Sequence, residues 1–136
     1  MCTFRGGELP PKHAEFYKSG QKYRVPGFLA TSFSEDVAYR FLYMKFAEGK
    51  TPVKWIVEVD SRGRDALQYR CKRVNFCENS DVPGEEEFLF APYSVFTVIS
   101  LTAPPVPPDH DTVVVRVQAA VDKQKESEDL PLAPWY

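Results

Sequence analysis

Three consecutive glutamates, Glu85, Glu86 and Glu87, stand directly before the apolar run Phe88-Leu89-Phe90. Side chains alternate along an extended chain, so Glu85 and Glu87 share one face and Glu86 takes the other. Carboxylates that close resist joint ionisation, and burial raises a carboxylate pKa further. That is how sites acquire paired acid, base or charge-stabilising groups. The same stretch also reads as a solvated acidic turn leading into a core strand, since charge clusters serve structural ends too. A second chemistry-bearing stretch is Phe4-Arg5-Gly6-Gly7. A guanidinium offers five donors in a fixed fork and stays charged, which suits a bidentate grip on phosphate or carboxylate. Glycines, having no Cβ, let a ligand approach the backbone. By itself Arg-Gly-Gly is also the sequence of an ordinary basic turn. Thr31, Ser32 and Ser34 add hydroxyls between these two stretches.

The elements that must carry these groups follow from pattern. Residues 3–7 read as a short strand ending in a flexible turn at the two glycines. Pro10-Pro11 then opens a short helix anchored by Phe16 and Tyr17 and stopped by Gly20. Residues 21–34 read as one irregular strand bent at Pro26-Gly27, with Val25, Phe28 and Leu29 half-buried. Ser34-Glu35-Asp36 has the form of a helix entry, and Val37, Ala38, Phe41 and Leu42 keep helical spacing to about residue 47. Residues 53–59 alternate and are rich in β-branched side chains, which predicts a strand. Residues 65–83 fit either short strands or a short helix, ending in a loop. A strand from Phe88, a Pro92 turn and a second strand over 95–101 follow. The prolines at 104–108 make a stiff connector, 112–121 a final strand, 123–129 a charged mobile segment, and 130–136 an apolar end that docks on the body.

With 136 residues, 43% hydrophobic and 26% charged, the chain fits one domain, here 1–136. A net charge of -2 gives no electrostatic footprint for nucleic acid or an anionic membrane surface. No apolar run reaches the length of a membrane span, and no signal-peptide pattern follows Met1, so a cytoplasmic location is expected. Cys2, Cys71 and Cys77 form no C-x-x-C, and His13 and His110 have no ligand-like spacing to them, so neither a disulfide framework nor a metal is expected. Many strands around one or two helices point to an α+β domain of two packed, mainly antiparallel sheets.

Taken in order, Phe4-Arg5-Gly6, the segment Phe28-Leu29-Ala30-Thr31-Ser32-Phe33-Ser34, and Glu85-x-Glu87 before a hydrophobic strand resemble the Arg-Ser-Glu class of mono-ADP-ribosyltransferases. That group includes the actin-modifying toxins and the arginine-specific eukaryotic enzymes. The resemblance runs from Phe4 to the closing residues, and it implies an ADP-ribosyltransferase-like core. It also implies a protein acceptor with an exposed arginine, and NAD as co-substrate without a metal. Residue by residue, it implies that Arg5 clamps the NAD phosphates and that Gly6 meets the nicotinamide amide through its backbone. It implies too that Thr31 and Ser32 line the nicotinamide-ribose pocket and hold the catalytic glutamate; with Ala30 in the first place of that segment, the supporting hydroxyl comes from Ser32 or Thr31, or is missing. In the resemblance Glu87 corresponds to that catalytic carboxylate, Glu85 corresponds to the first acid of the pair that accompanies transfer to arginine, and Phe41 falls roughly where the family places an aromatic that packs on the nicotinamide.

Two departures from the pattern bear on activity. Ala30 stands where the first serine of the Ser-Thr-Ser segment belongs, and Arg5 lies near the start, where family members carry preceding helices. The expectation is therefore a minimal or N-terminally shortened catalytic domain. Two alternatives share the site, an NAD glycohydrolase and a catalytically impaired NAD-binding or interaction module.

Overall fold

The computed structural model describes residues 2–44, 51–59, 73–77, 87–102, 112–120 and 123–135. Its strands are β1 (Cys2–Leu9), β2 (Lys22–Val25), β3 (Leu29–Ser32), β4 (Thr51–Glu58), β5 (Arg73–Cys77), β6 (Glu87–Phe90), β7 (Ser94–Thr102) and β8 (Val113–Ala119). One α-helix among the described residues, α1 (Glu35–Met44), follows β3, and a 3-10 helix (Pro11–Phe16) follows β1. The strands join in a single curled sheet in the order β2-β7-β8-β4-β1-β3-β6-β5. All neighbours are antiparallel except β4 and β8. The expected two packed sheets thus meet one continuous ladder. Its narrowest link is between β1 and β3, paired only at Phe4 and Ser32.

Alternation explains the core. Val53, Trp55 and Val57 of β4 turn inward beside Val115 and Val117 of β8, while Phe96 and Val98 of β7 and Phe88 and Phe90 of β6 complete the same cluster. Phe90 packs edge-on to Phe96 with ring centroids 5.2 Å apart, which ties the β3-β6-β5 end to the β2-β7-β8 end. Fully burying each such side chain contributes about 1.5–3 kcal/mol.

Three expectations are corrected. Gly6 and Gly7 do not end a strand: β1 continues to Leu9 because Gly6 and Gly7 pair with Lys54 and Val53 across an eight-residue register. Residues 21–34 are two strands, because Pro26-Gly27 breaks the run; β2 then pairs with β7 and β3 with β6, and Phe28 is left exposed. The charged segment after residue 122 is fastened rather than loose. Arg24 donates to the carbonyls of Glu126 and Ser127, and Lys22 pairs with Glu126 at 2.8 Å. The last residues dock as expected: Ala133 is buried, and the Tyr17 hydroxyl donates to the Trp135 carbonyl at 2.6 Å.

Candidate active site

Phe4, Ser32 and Glu87 stand in one row across β1, β3 and β6, since Ser32 is the register partner of both Phe4 and Glu87. Directly opposed residues share a face, and with strands about 4.8 Å apart the row spans roughly 10 Å. It borders a cleft of about 280 Å³, to which β1 gives Phe4, Arg5 and Gly6, β3 gives Ala30, Thr31 and Ser32, and β6 gives Glu87. Val37 and Ala38 of α1 close the remaining side.

Arg5 is placed by packing as well as by hydrogen bonding. It lies opposite Trp55 on β4 and borders one small cavity with Trp55, Tyr17 and Trp135, an arrangement that anchors the stem and lets the head reach the cleft. One guanidinium nitrogen, Nη1, donates to the Ala30 carbonyl at 2.9 Å. Burial lowers the pKa of this guanidinium from its usual value, and among the described residues no carboxylate pairs with it. A cation drawn from water without an anion is costly, and a ligand phosphate relieves that cost.

The two hydroxyls of β3 have different fates. Ser32 is buried, and its Oγ accepts from the Ser34 N–H at 3.0 Å, folding the short link that leads into α1. Thr31 faces the other way, onto the side that carries Leu29, Phe88 and Phe90. Its hydroxyl donates to the Phe88 carbonyl at 2.8 Å, so it pins β3 to β6 rather than standing free to meet a ribose. Ala30 borders the cleft without a hydroxyl, though its carbonyl holds Arg5.

Gly6 lines the cleft as a strand residue. Glu87 is half-buried at the first position of β6. Glu85 and the side chain of Phe41 lie outside the described residues. Sequence reasoning passed over Val37 and Ala38 as cleft walls, because an apolar helical stripe signals core and does not say which of its members border a ligand. Among the described residues no three His, Cys, Asp or Glu lie together in a way that could hold a metal, and no helix is long and apolar enough to cross a membrane.

No family model and no curated protein matches this chain. Solved structures do. The chain aligns with Vis, an ADP-ribosyltransferase from Vibrio splendidus, in its complex with the M6 inhibitor, at a TM-score of 0.66 and 18% identity over 88% of this chain and 48% of that one. It also aligns with HopU1, an ADP-ribosyltransferase of Pseudomonas syringae pv. tomato (TM-score 0.57, 18% identity, 87% and 44% covered). A third match is the Clostridium limosum C3 exoenzyme (TM-score 0.57, 14% identity, 88% and 58% covered). The fold is that of the ADP-ribosyltransferases, and the chain spans about half the length of these structural neighbours.

Proposed function

We propose that this chain is a mono-ADP-ribosyltransferase that takes ADP-ribose from NAD and attaches it to arginine side chains of a protein acceptor. One observation carries the reading: Arg5, Ser32 and Glu87 converge on a single cleft in a chain with the ADP-ribosyltransferase fold. The desolvated guanidinium of Arg5, without a carboxylate partner among the described residues, suits a diphosphate. A cleft of about 280 Å³ is near the lower end of ligand sites, roughly 300–1,000 Å³, and suits the nicotinamide-riboside end where the bond breaks.

In this reading the bond from ribose C1′ to nicotinamide breaks, with the electron pair leaving on nicotinamide, and the ribose takes on oxocarbenium character. Glu87 bonds the ribose 2′-hydroxyl and offsets charge that develops mainly in the transition state. A guanidine nitrogen of the acceptor then bonds C1′ from the opposite side, and Glu85 orients that group and receives its proton. Vis has been solved in complex with agmatine, a molecule that presents a guanidinium, which supports an arginine-like acceptor here.

The test is incubation with labelled NAD and arginine-bearing acceptors. Label should become protein-bound, and Glu87→Gln should lower transfer by about 10²–10³-fold, the size found when one preorganised stabilising group is removed. Equal labelling by Glu87→Gln would overturn the assignment. Nicotinamide release that far exceeds protein-bound label, and that survives Glu85→Gln, would make the chain an NAD glycohydrolase instead.

A further inference from the structure

Lys54 lies in the middle of β4 opposite Gly6 and is only 8% exposed, because α1 lies over that face of β1 and β4. Its ammonium binds the Glu35 carboxylate and donates to the Tyr39 hydroxyl at 3.0 Å. The same nitrogen is 4.6 Å from the centre of the Tyr39 ring and 5.7 Å from that of Phe4, which borders the cleft. Burial alone would lower the pKa of Lys54, but hydrogen bonds and charge from Glu35 and Tyr39 outweigh it and hold the group above its ordinary value, so it stays charged.

Glu35 opens α1, and Ala38, which walls the cleft, is three residues further on. Residues three apart are neighbours on a helix surface, with Cβ atoms about 5–6 Å apart. A Glu35 carboxylate released from Lys54 therefore has the cleft within reach of its flexible side chain. Among the described residues Arg5 is the one cation lining that cleft, and Glu87 already places a carboxylate there. A second free carboxylate works against an anionic ligand.

We propose that Lys54 is a positioning residue of this cleft, binding Glu35 so that its carboxylate is kept from the dinucleotide diphosphate that Arg5 receives. The proposal rests on the NAD reading given above. It separates an electrostatic role from simple packing, because removing the carboxylate should repair the loss of the lysine.

The experiment is titration of wild type, Lys54→Met, Glu35→Gln and the double variant with NAD, at low and high salt, with thermal unfolding measured alongside. Lys54→Met should weaken NAD binding about tenfold, equivalent to about 1.4 kcal/mol, and high salt should shrink the difference. Adding Glu35→Gln to it should bring affinity back to within about twofold of wild type, even though the pair is gone and melting stays low. If Lys54→Met does not fold, Lys54→Leu, which likewise gives Glu35 no donor at this position, carries the same expectation. Wild-type affinity in the lysine variant, or a double variant no better than the single one, overturns the proposal. Absence of NAD binding by the wild type overturns the NAD reading and this proposal together, whereas binding by wild type and lysine variant alike removes the proposal alone.

Discussion

Arg5 and Arg24 are both drawn into the protein, and they end in different circumstances. Arg24 sits on β2, an edge strand covered by the chain's final residues through the Arg24 N–H to the Pro131 carbonyl and the Ala133 N–H to the Arg24 carbonyl. Its guanidinium donates to Tyr93 O at 2.8 Å, Glu126 O at 3.0 Å and Ser127 O at 2.8 Å, so three backbone carbonyls from two loops fill its fork. Arg5 sits on β1, in the interior of the sheet and beside a cleft, and among the described residues gives one bond, to Ala30 O. An arginine saturated by carbonyls is a fastening. One with donors to spare at a cleft is a receptor for an anion.

The comparison breaks most visibly through Arg24. Replacing it with Met leaves the carbonyls of Tyr93, Glu126 and Ser127 without their donor and should destabilise the fold by about 3–5 kcal/mol, read as a fall in the denaturant midpoint. Loss of under about 1 kcal/mol would show that water replaces the fork and that the contrast with Arg5 is overstated. A smaller effect separates the hydroxyls of β3. Thr31→Val should cost about 1 kcal/mol of stability by removing the hydroxyl bond to the Phe88 carbonyl. Ser32→Ala should cost about 1 kcal/mol through the Ser34 N–H, and should also lower nicotinamide release, because Ser32 stands opposite Glu87. If Ser32→Ala changes stability alone, the serine belongs with Thr31 as a structural group.

The smallest effect is alkaline. The bonds to Glu35 and Tyr39 hold Lys54 above its ordinary pKa when folded, so its contribution is fully present below the unfolded pKa and is lost as pH rises through the folded one. Burial raises the hydroxyl pKa values of Tyr17 and Tyr23, which act in the same direction. Stability should therefore hold level up to about pH 10 and fall above it, with a shallower fall in Lys54→Met. Parallel curves for the two proteins would remove Lys54 as a contributor.

Much of the framework was legible in the sequence where a local pattern and its environment agreed. The alternation at 53–59 became β4, the spacing after Ser34 became α1, and the closing apolar residues docked at Tyr17 and Arg24. What escaped depended on partners distant in sequence. Periodicity gives no sign that residues before and after Pro26-Gly27 pair with β7 and β6 respectively. Gly6 and Gly7 look like a turn until β4 lies alongside, because strand preference is decided by the neighbouring strand. Residues 123–129 look loose by charge, but the groups that fasten them at Glu126 and Ser127 include backbone carbonyls, which composition does not reveal. In the site, Arg5, Ser32 and Glu87 are named through the family resemblance and line one cleft, whereas the inward turn of Thr31 depends on the phase of β3. Alternation along 53–59 does not say what covers Lys54; α1, packed over that face, buries it.

Calorimetric titration with NAD of the wild type and of Arg5→Ala tests the central claim most directly. The wild type should bind, and Arg5→Ala should bind at least about tenfold more weakly, about 1.4 kcal/mol or more, while remaining folded at the titration temperature. Equal affinity in the two proteins would contradict the assignment of Arg5 as the receptor of the dinucleotide phosphates.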